Sequence, residues 1–150
     1  MNFDKNYHPN NTYCHSKLTQ MMFGYELQNR INEANKEVKV YVCHPGASKT
    51  SLINKEAPLM TRVMWSIISN TPMVQSARKG AYPEVMCATE DNLNQKAYYG
   101  PTGKMNWKGP VDECEMEGFV LDRTIAGKLW DLFNSIITVS YTHLTLPTKA

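Results

Sequence analysis

Between two segments of helical spacing lies one short run, Val38-Lys39-Val40-Tyr41-Val42-Cys43, closed by His44-Pro45-Gly46. The run is β-branched and aromatic and is broken by a single lysine. A strand with one wet face alternates apolar and polar residues, whereas a near-continuous apolar run is covered on both faces, as in a parallel sheet. Val38 to Cys43 is therefore expected to be a buried parallel strand, which places the chain in the α/β class. Open α/β sheets bind ligands at the carboxyl ends of their strands. In this chain that is the position of Pro45, Gly46 and Thr50.

The remaining elements follow from spacing and punctuation. From Thr12 to about Asn35, Leu18, Met21, Met22, Tyr25 and Leu27 recur at helical intervals, with Asn11 or Thr12 available as N-cap. Ala57 to Ser69 is apolar and methionine-rich, Thr71-Pro72 interrupts it, and a second helix is expected from Met73 to about Thr89. Lys96 to Tyr99 reads as a short last strand before the turn-rich Gly100-Pro101-Thr102-Gly103, and Met105 to Glu117 as a loop. Leu121, Ile125, Leu129, Leu132, Phe133 and Ile136 give a last helix, to about Ile137, with one buried face.

Composition removes several function classes. A net charge of +2 on 150 residues, with lysines and arginines scattered, does not suit a polyanion partner such as nucleic acid. No apolar run approaches the roughly 18 residues needed to span a bilayer, and no signal-type segment opens the chain, so a cytoplasmic location is expected. Cys14, Cys43, Cys87 and Cys114 form no C-x-x-C pair, and the four histidines lack the i,i+4 spacing of a shared metal face, so reduced thiols and no metal site are expected. Gly103-Lys104 fails as a phosphate loop, because Tyr98 stands where the first glycine belongs and Met105 follows the lysine. Cys14-His15 and Cys43-His44 are neighbours that face apart on a helix or a strand, so neither is a nucleophile and its base.

Proton-transfer chemistry is suggested by Tyr13-Cys14-His15-Ser16-Lys17. Residues four apart share a helix face, so Tyr13 and Lys17 point at a common space. A free tyrosine titrates near 10, too high for efficient proton exchange at neutral pH, and an adjacent cation favours the ionised phenol. By itself this spacing more often means a half-buried ring beside a solvated charge.

Taken together, Tyr13-x-x-Ser16-Lys17-Leu18, Glu26-Leu27, His44-Pro45-Gly46-x-x-x-Thr50-x-Leu52, Tyr99-Gly100-Pro101 and Leu129-Trp130 resemble the short-chain dehydrogenase/reductase family. The likeness is greatest to the branch similar to retinol dehydrogenases and protochlorophyllide reductase. It implies the C-terminal part of a Rossmann-type, doubly wound parallel sheet, with residues 1–138 as that portion of one NAD(P)-binding domain. Within it, Tyr13 is the catalytic acid or base, and Lys17 lowers its pKa and bonds the nicotinamide ribose. Pro45, Gly46, Ser48 and Thr50 line the cofactor site, and Ser16 helps shape it. NADP or NAD is the implied cofactor, with NADP preferred by this branch.

The substrate implied is a small, apolar carbonyl compound or alcohol. The 57–69 segment is either the family's flap, with Met60, Met64 and Trp65 facing substrate, or a core helix, and loop 105–117 borders the entrance or is solvated surface. The family's glycine-rich phosphate motif and its upstream serine are absent from these residues, so the chain is expected to be a fragment that binds cofactor weakly or not at all. Residues 139–150 change character abruptly and are expected to be a non-native tail. The alternative is a non-catalytic remnant or scaffold that dimerises through the helix carrying Met21, Met22 and Tyr25.

Overall fold

The computed structural model describes residues 8–50 and 59–141. They form two compact units, one within Met1–Val40 and Glu117–Ala150, the other Tyr41–Met116.

The first unit is two helices. Helix α1 (Pro9–Glu33) starts one turn earlier than its spacing predicts. Proline at the first helical position costs no hydrogen bond and presets φ, and His8 occupies the cap with extended backbone and no side-chain bond. Asn11 and Thr12 therefore lie inside the helix, a correction to their expected capping role. The helix ends where Asn35 turns left-handed (φ 51°) and Lys36 N–H returns to Ile31 O at 3.1 Å, a pattern that satisfies its last carbonyls.

A 3-10 turn (Gly118–Leu121) and helix α2 (Arg123–Tyr141) pack on α1. Asp122 caps α2, accepting from Thr124 N at 2.8 Å and Ile125 N at 3.2 Å, so the helix begins two residues later than its apolar pattern suggests. It continues to Tyr141, past the expected boundary at residue 138.

The contact between the two helices is aromatic and ionic. Phe23 stacks on Trp130 (centroids 4.9 Å apart) and meets Phe133 edge-on at 5.5 Å. Arg30 lies 4.6 Å from the Trp130 ring centre. Glu26, with a side chain only 3% exposed, accepts from Arg30 Nε at 2.8 Å, and Arg123 Nε approaches its other oxygen at 3.6 Å, too far for a hydrogen bond. Met22 and Tyr25 are buried, so neither is free to form the dimer face expected of them.

The second unit holds two small sheets. Strand β1 (Val42–Cys43) runs parallel to β3 (Tyr98–Pro101), in register Val42 with Tyr98. β1 is shorter than the expected Val38–Cys43 and only half-buried. The cause lies upstream: Gln28 donates to Val38 O and accepts from Val40 N–H, so a side chain rather than a neighbouring strand satisfies this backbone. Ser48–Lys49 and Gln75–Ser76 form a second parallel pair that the sequence did not announce.

The segment expected as one helix from Met73 to Thr89 is instead this short strand at Gln75–Ser76 followed by helix α4 (Ala77–Gly80) and helix α5 (Tyr82–Thr89), with helix α3 (Leu59–Ser69) before it. The Ser76 hydroxyl caps α4 and Pro83 opens α5, so a cap and a proline divide what the apolar pattern joined. The expected last strand, Lys96–Tyr99, lies two residues later as β3, taking in Gly100 and Pro101 that read as turn, and it is followed by another: Val111–Cys114, β4, pairs with it antiparallel, which corrects the reading of 105–117 as loop throughout. The sheet order is β1, β3, β4. Its centre is Tyr99, 1% exposed, whose hydroxyl accepts from Asn94 N at 2.8 Å.

Helix α3 buries none of its residues, which overturns its reading as a core helix. Leu52, Ala57, His143 and residues 142–150 of the expected tail lie outside the described residues.

Candidate active site

Tyr13 and Lys17 stand on one face of α1, as their spacing requires. The Lys17 ammonium lies 5.8 Å from the Tyr13 ring centre. The Tyr13 side chain is 55% exposed, and Lys17 Nζ donates to Gln20 Oε1 at 3.2 Å. Ser16, between them, donates its hydroxyl to Tyr13 O at 2.7 Å, a back-bond common for serine inside a helix. The phenol is thus presented to solvent with an exposed cation on the same helix face.

Pro45, Gly46, Ser48 and Thr50 belong to the second unit, where they form a braced turn at the carboxyl end of β1. Gly46 has φ 62°, a conformation costly for any residue with a Cβ. A Cβ there would meet Trp107 O at 2.4 Å and Pro101 Cγ at 2.5 Å. Ala47 N–H donates to Trp107 O at 2.8 Å, and Gln75 donates its amide to Pro45 O at 2.8 Å. Ser48 is buried, its hydroxyl donating to Pro45 O at 2.8 Å, and Gly80 leaves room for it. Its side chain therefore fastens the turn from within, while Pro45 and Thr50 are exposed.

His44 completes the turn. Its Nδ1 accepts from Gly46 N–H at 3.2 Å, its Nε2 lies 3.6 Å from Cys114 Sγ, and its ring stacks on Tyr98 at 4.7 Å. Burial lowers the imidazole from its ordinary value. Burial, followed by the neighbouring Cys87, pushes the Cys43 thiol up to about 12, and burial with the Asp112 charge raises Cys114. Both thiols stay protonated at neutral pH, which removes them as nucleophiles.

Sequence reasoning missed Gln75, Trp107 and His44 as supports of this turn. For His44 a signal existed, since a glycine inside a strand marks a close approach. Gly100 is that glycine, and a Cβ on it would fall 2.1 Å from His44 Nε2. Of the residues expected to face substrate, Trp65 lines a surface hollow of about 310 Å³ with Leu59, Arg62, Val63 and Ser66. Met60 and Met64 are exposed.

Each unit by itself offers groups of the kind a nicotinamide cofactor meets: in the first, an exposed phenol and ammonium on one helix face, and in the second, an exposed proline and threonine beside a rigid glycine turn at a strand's carboxyl end.

No protein-family model matches the chain. Its curated homologues over most of its length are retinol dehydrogenases of the short-chain dehydrogenase/reductase family, which bears out the resemblance read from the Tyr13 and Pro45 motifs. Human retinol dehydrogenase 12 is 32% identical over 108 residues, covering 71% of this chain and 32% of the relative. Mouse retinol dehydrogenase 14 is 27% identical over 144 residues, covering 93% and 39%, and human retinol dehydrogenase 11 is 30% identical, covering 86% and 36%. The chain thus spans between 32% and 39% of the length of these relatives. A crystal structure of an uncharacterized protein from Mycobacterium paratuberculosis matches with TM-score 0.62 and 25% identity, covering 87% of this chain and 40% of that one. The chain is therefore a mixed helix and strand protein with parallel strand pairing, compatible with a Rossmann-like fold, and its homologues are oxidoreductases.

Proposed function

We propose, from this homology, that the chain forms part of a nicotinamide-dependent oxidoreductase that interconverts an alcohol and a carbonyl compound, with residues 1–138 contributing a portion of one Rossmann-type domain. The observation that carries this reading is the Lys17 ammonium 5.8 Å from the ring of the solvent-facing Tyr13 on one helix face. The bound nicotinamide supplies or accepts the hydride at the substrate carbon. Tyr13 gives its phenolic proton to the carbonyl oxygen in reduction and takes it back in oxidation, and Lys17 holds positive charge beside the phenolate left behind. Pro45, Gly46 and Thr50 form a wall of the cofactor site, and Ser48 anchors that wall.

An apolar substrate, like the retinol named for the relatives, suits the exposed apolar residues of α3. NADP is the preferred cofactor in this reading. Four free cysteines suit a reducing, cytoplasmic setting. A dimer built on α1 would use the face around Tyr13, since Met22 and Tyr25 are buried.

The test is Tyr13→Phe in the complete enzyme. General acid catalysis contributes about 10²- to 10⁴-fold, so turnover should fall by that factor. The melting temperature should hold, because the ring is exposed. Undiminished turnover would sink the assignment.

A further inference from the structure

We propose that His44 is a positioning residue that holds the Pro45–Gly46 turn only as the neutral imidazole protonated on Nε2, so that one proton added at Nδ1 releases the turn. This rests on the reading of Pro45 and Gly46 as cofactor-lining residues for its functional consequence, and on geometry alone for the device itself.

A backbone N–H can only donate. Nδ1, 3.2 Å from Gly46 N, must therefore be the unprotonated nitrogen, which leaves the ring's single hydrogen on Nε2, directed at Cys114 Sγ 3.6 Å away. The ring has little freedom to choose another pose. Tyr98 stacks against one face at an interplanar angle of 26°, and its Nε2 edge occupies the space that any side chain at position 100 would need. Rotating the ring by half a turn would set a carbon against the Gly46 N–H and orphan that donor.

Protonation at Nδ1 sets two donors face to face. Gly46 has no alternative backbone of equal ease, because its left-handed φ is what lets Ala47 N–H reach Trp107 O. The loss at one nitrogen is thus passed to the whole turn.

The groups around the ring do not supply a counter-charge. From β3 it meets the Tyr98 ring and from β4 the Cys114 thiol. Asp112 Oδ1 on β4 accepts from Glu113 N, and Glu113 accepts from the Tyr99 hydroxyl. On α5, Glu84 and Cys87 act on the Cys43 thiol. Among the described residues no carboxylate pairs with His44, and burial lowers its affinity for a proton.

The test is nitrogen-15 NMR of the His44 imidazole in the full chain, with amide hydrogen exchange at Gly46. At neutral pH the expected spectrum shows Nδ1 bare and Nε2 protonated. On acidification, Gly46 protection, corrected for intrinsic exchange, falls about tenfold as Nδ1 titrates, the size of one net hydrogen bond. A protonated Nδ1 at neutral pH, or protection indifferent to its titration, overturns the proposal.

Two variants separate this role from simple packing. In His44→Asn the amide oxygen takes the place of Nδ1, so Gly46 protection is retained and loses its acid dependence. In His44→Gln the polar group falls near Nε2, and protection is lost at every pH. The reverse ranking overturns the proposal. If either variant fails to fold, the wild-type spectrum decides alone. Should the spectrum hold while nicotinamide binding to the complete enzyme ignores acidification, the device stands and the cofactor reading of the turn falls.

Discussion

Replacing Phe23 by alanine tests what keeps the helix of Tyr13 and Lys17 in place. Phe23 is half-buried and meets two rings of the second helix of its unit, Trp130 at 4.9 Å and Phe133 at 5.5 Å. Truncating a fully buried phenylalanine costs about 3–5 kcal/mol. Half burial reduces this to about 2 kcal/mol, and the two ring pairs return part of the difference at about 0.5–1.5 kcal/mol each. We expect a loss of about 2–3 kcal/mol. For a chain of this size that corresponds to a fall in melting temperature of roughly 6–10 °C. Urea unfolding followed by tryptophan fluorescence measures the first, and calorimetry the second. A Phe23/Trp130 double-mutant cycle isolates the stack, which should give about 0.5–1.5 kcal/mol of coupling. A loss under about 1 kcal/mol, or coupling indistinguishable from zero, would show that the aromatic contact does not hold the helix pair.

Gly46→Ala meets both a left-handed φ and Trp107 O at 2.4 Å, so it should cost about 2–4 kcal/mol in urea unfolding. Gly127→Ala, within the second turn of its helix and with open space where a Cβ would be added, should stabilise by about 0.5–1 kcal/mol, and equal effects of the two would refute the turn geometry. At neutral pH iodoacetamide should label exposed Cys14 first and Cys43 last, because the Cys43 thiol is pushed up to about 12 and offers little thiolate, and mass spectrometry of timed digests reads the order. Because burial lowers His44, the unfolded chain binds its proton first as pH falls through the ordinary value of 6.5. Its contribution to stability is therefore full above that value and is lost below it, by at most about 1.4 kcal/mol per pH unit. The difference between the urea midpoints of the native chain and His44→Asn should be constant above that value and change only on the acid side.

Local rules carried far along this chain. The i,i+4 spacing of Tyr13 and Lys17 was enough to place them on one face, because a helix fixes that neighbourhood whatever surrounds it. Helix existence was similarly legible, but its limits were not where apolar spacing ended them. Pro9 and Asp122 moved two helix starts, and the Ser76 cap and Pro83 broke one expected helix into two. The apolar run Val38–Cys43 promised six residues of strand and delivered two, since the run reports hydrophobicity while the ladder depends on which partner reaches the backbone. Gln28, ten residues back on a helix, reached Val38 and Val40 first.

The sequence by itself determined the chemistry on offer: a phenol and an ammonium on one helix face, and a glycine turn after a strand. It could do so because these are relations among residues at most a turn or two apart. Tertiary structure decided which of them are held and how. His44 at the end of β1, Gly100 on β3, Cys114 on β4 and Trp107 between them meet only when the sheet assembles. No spacing rule connects positions 44, 100 and 114, because the fit of a ring into a missing Cβ depends on strand register, and register is set by the whole sheet.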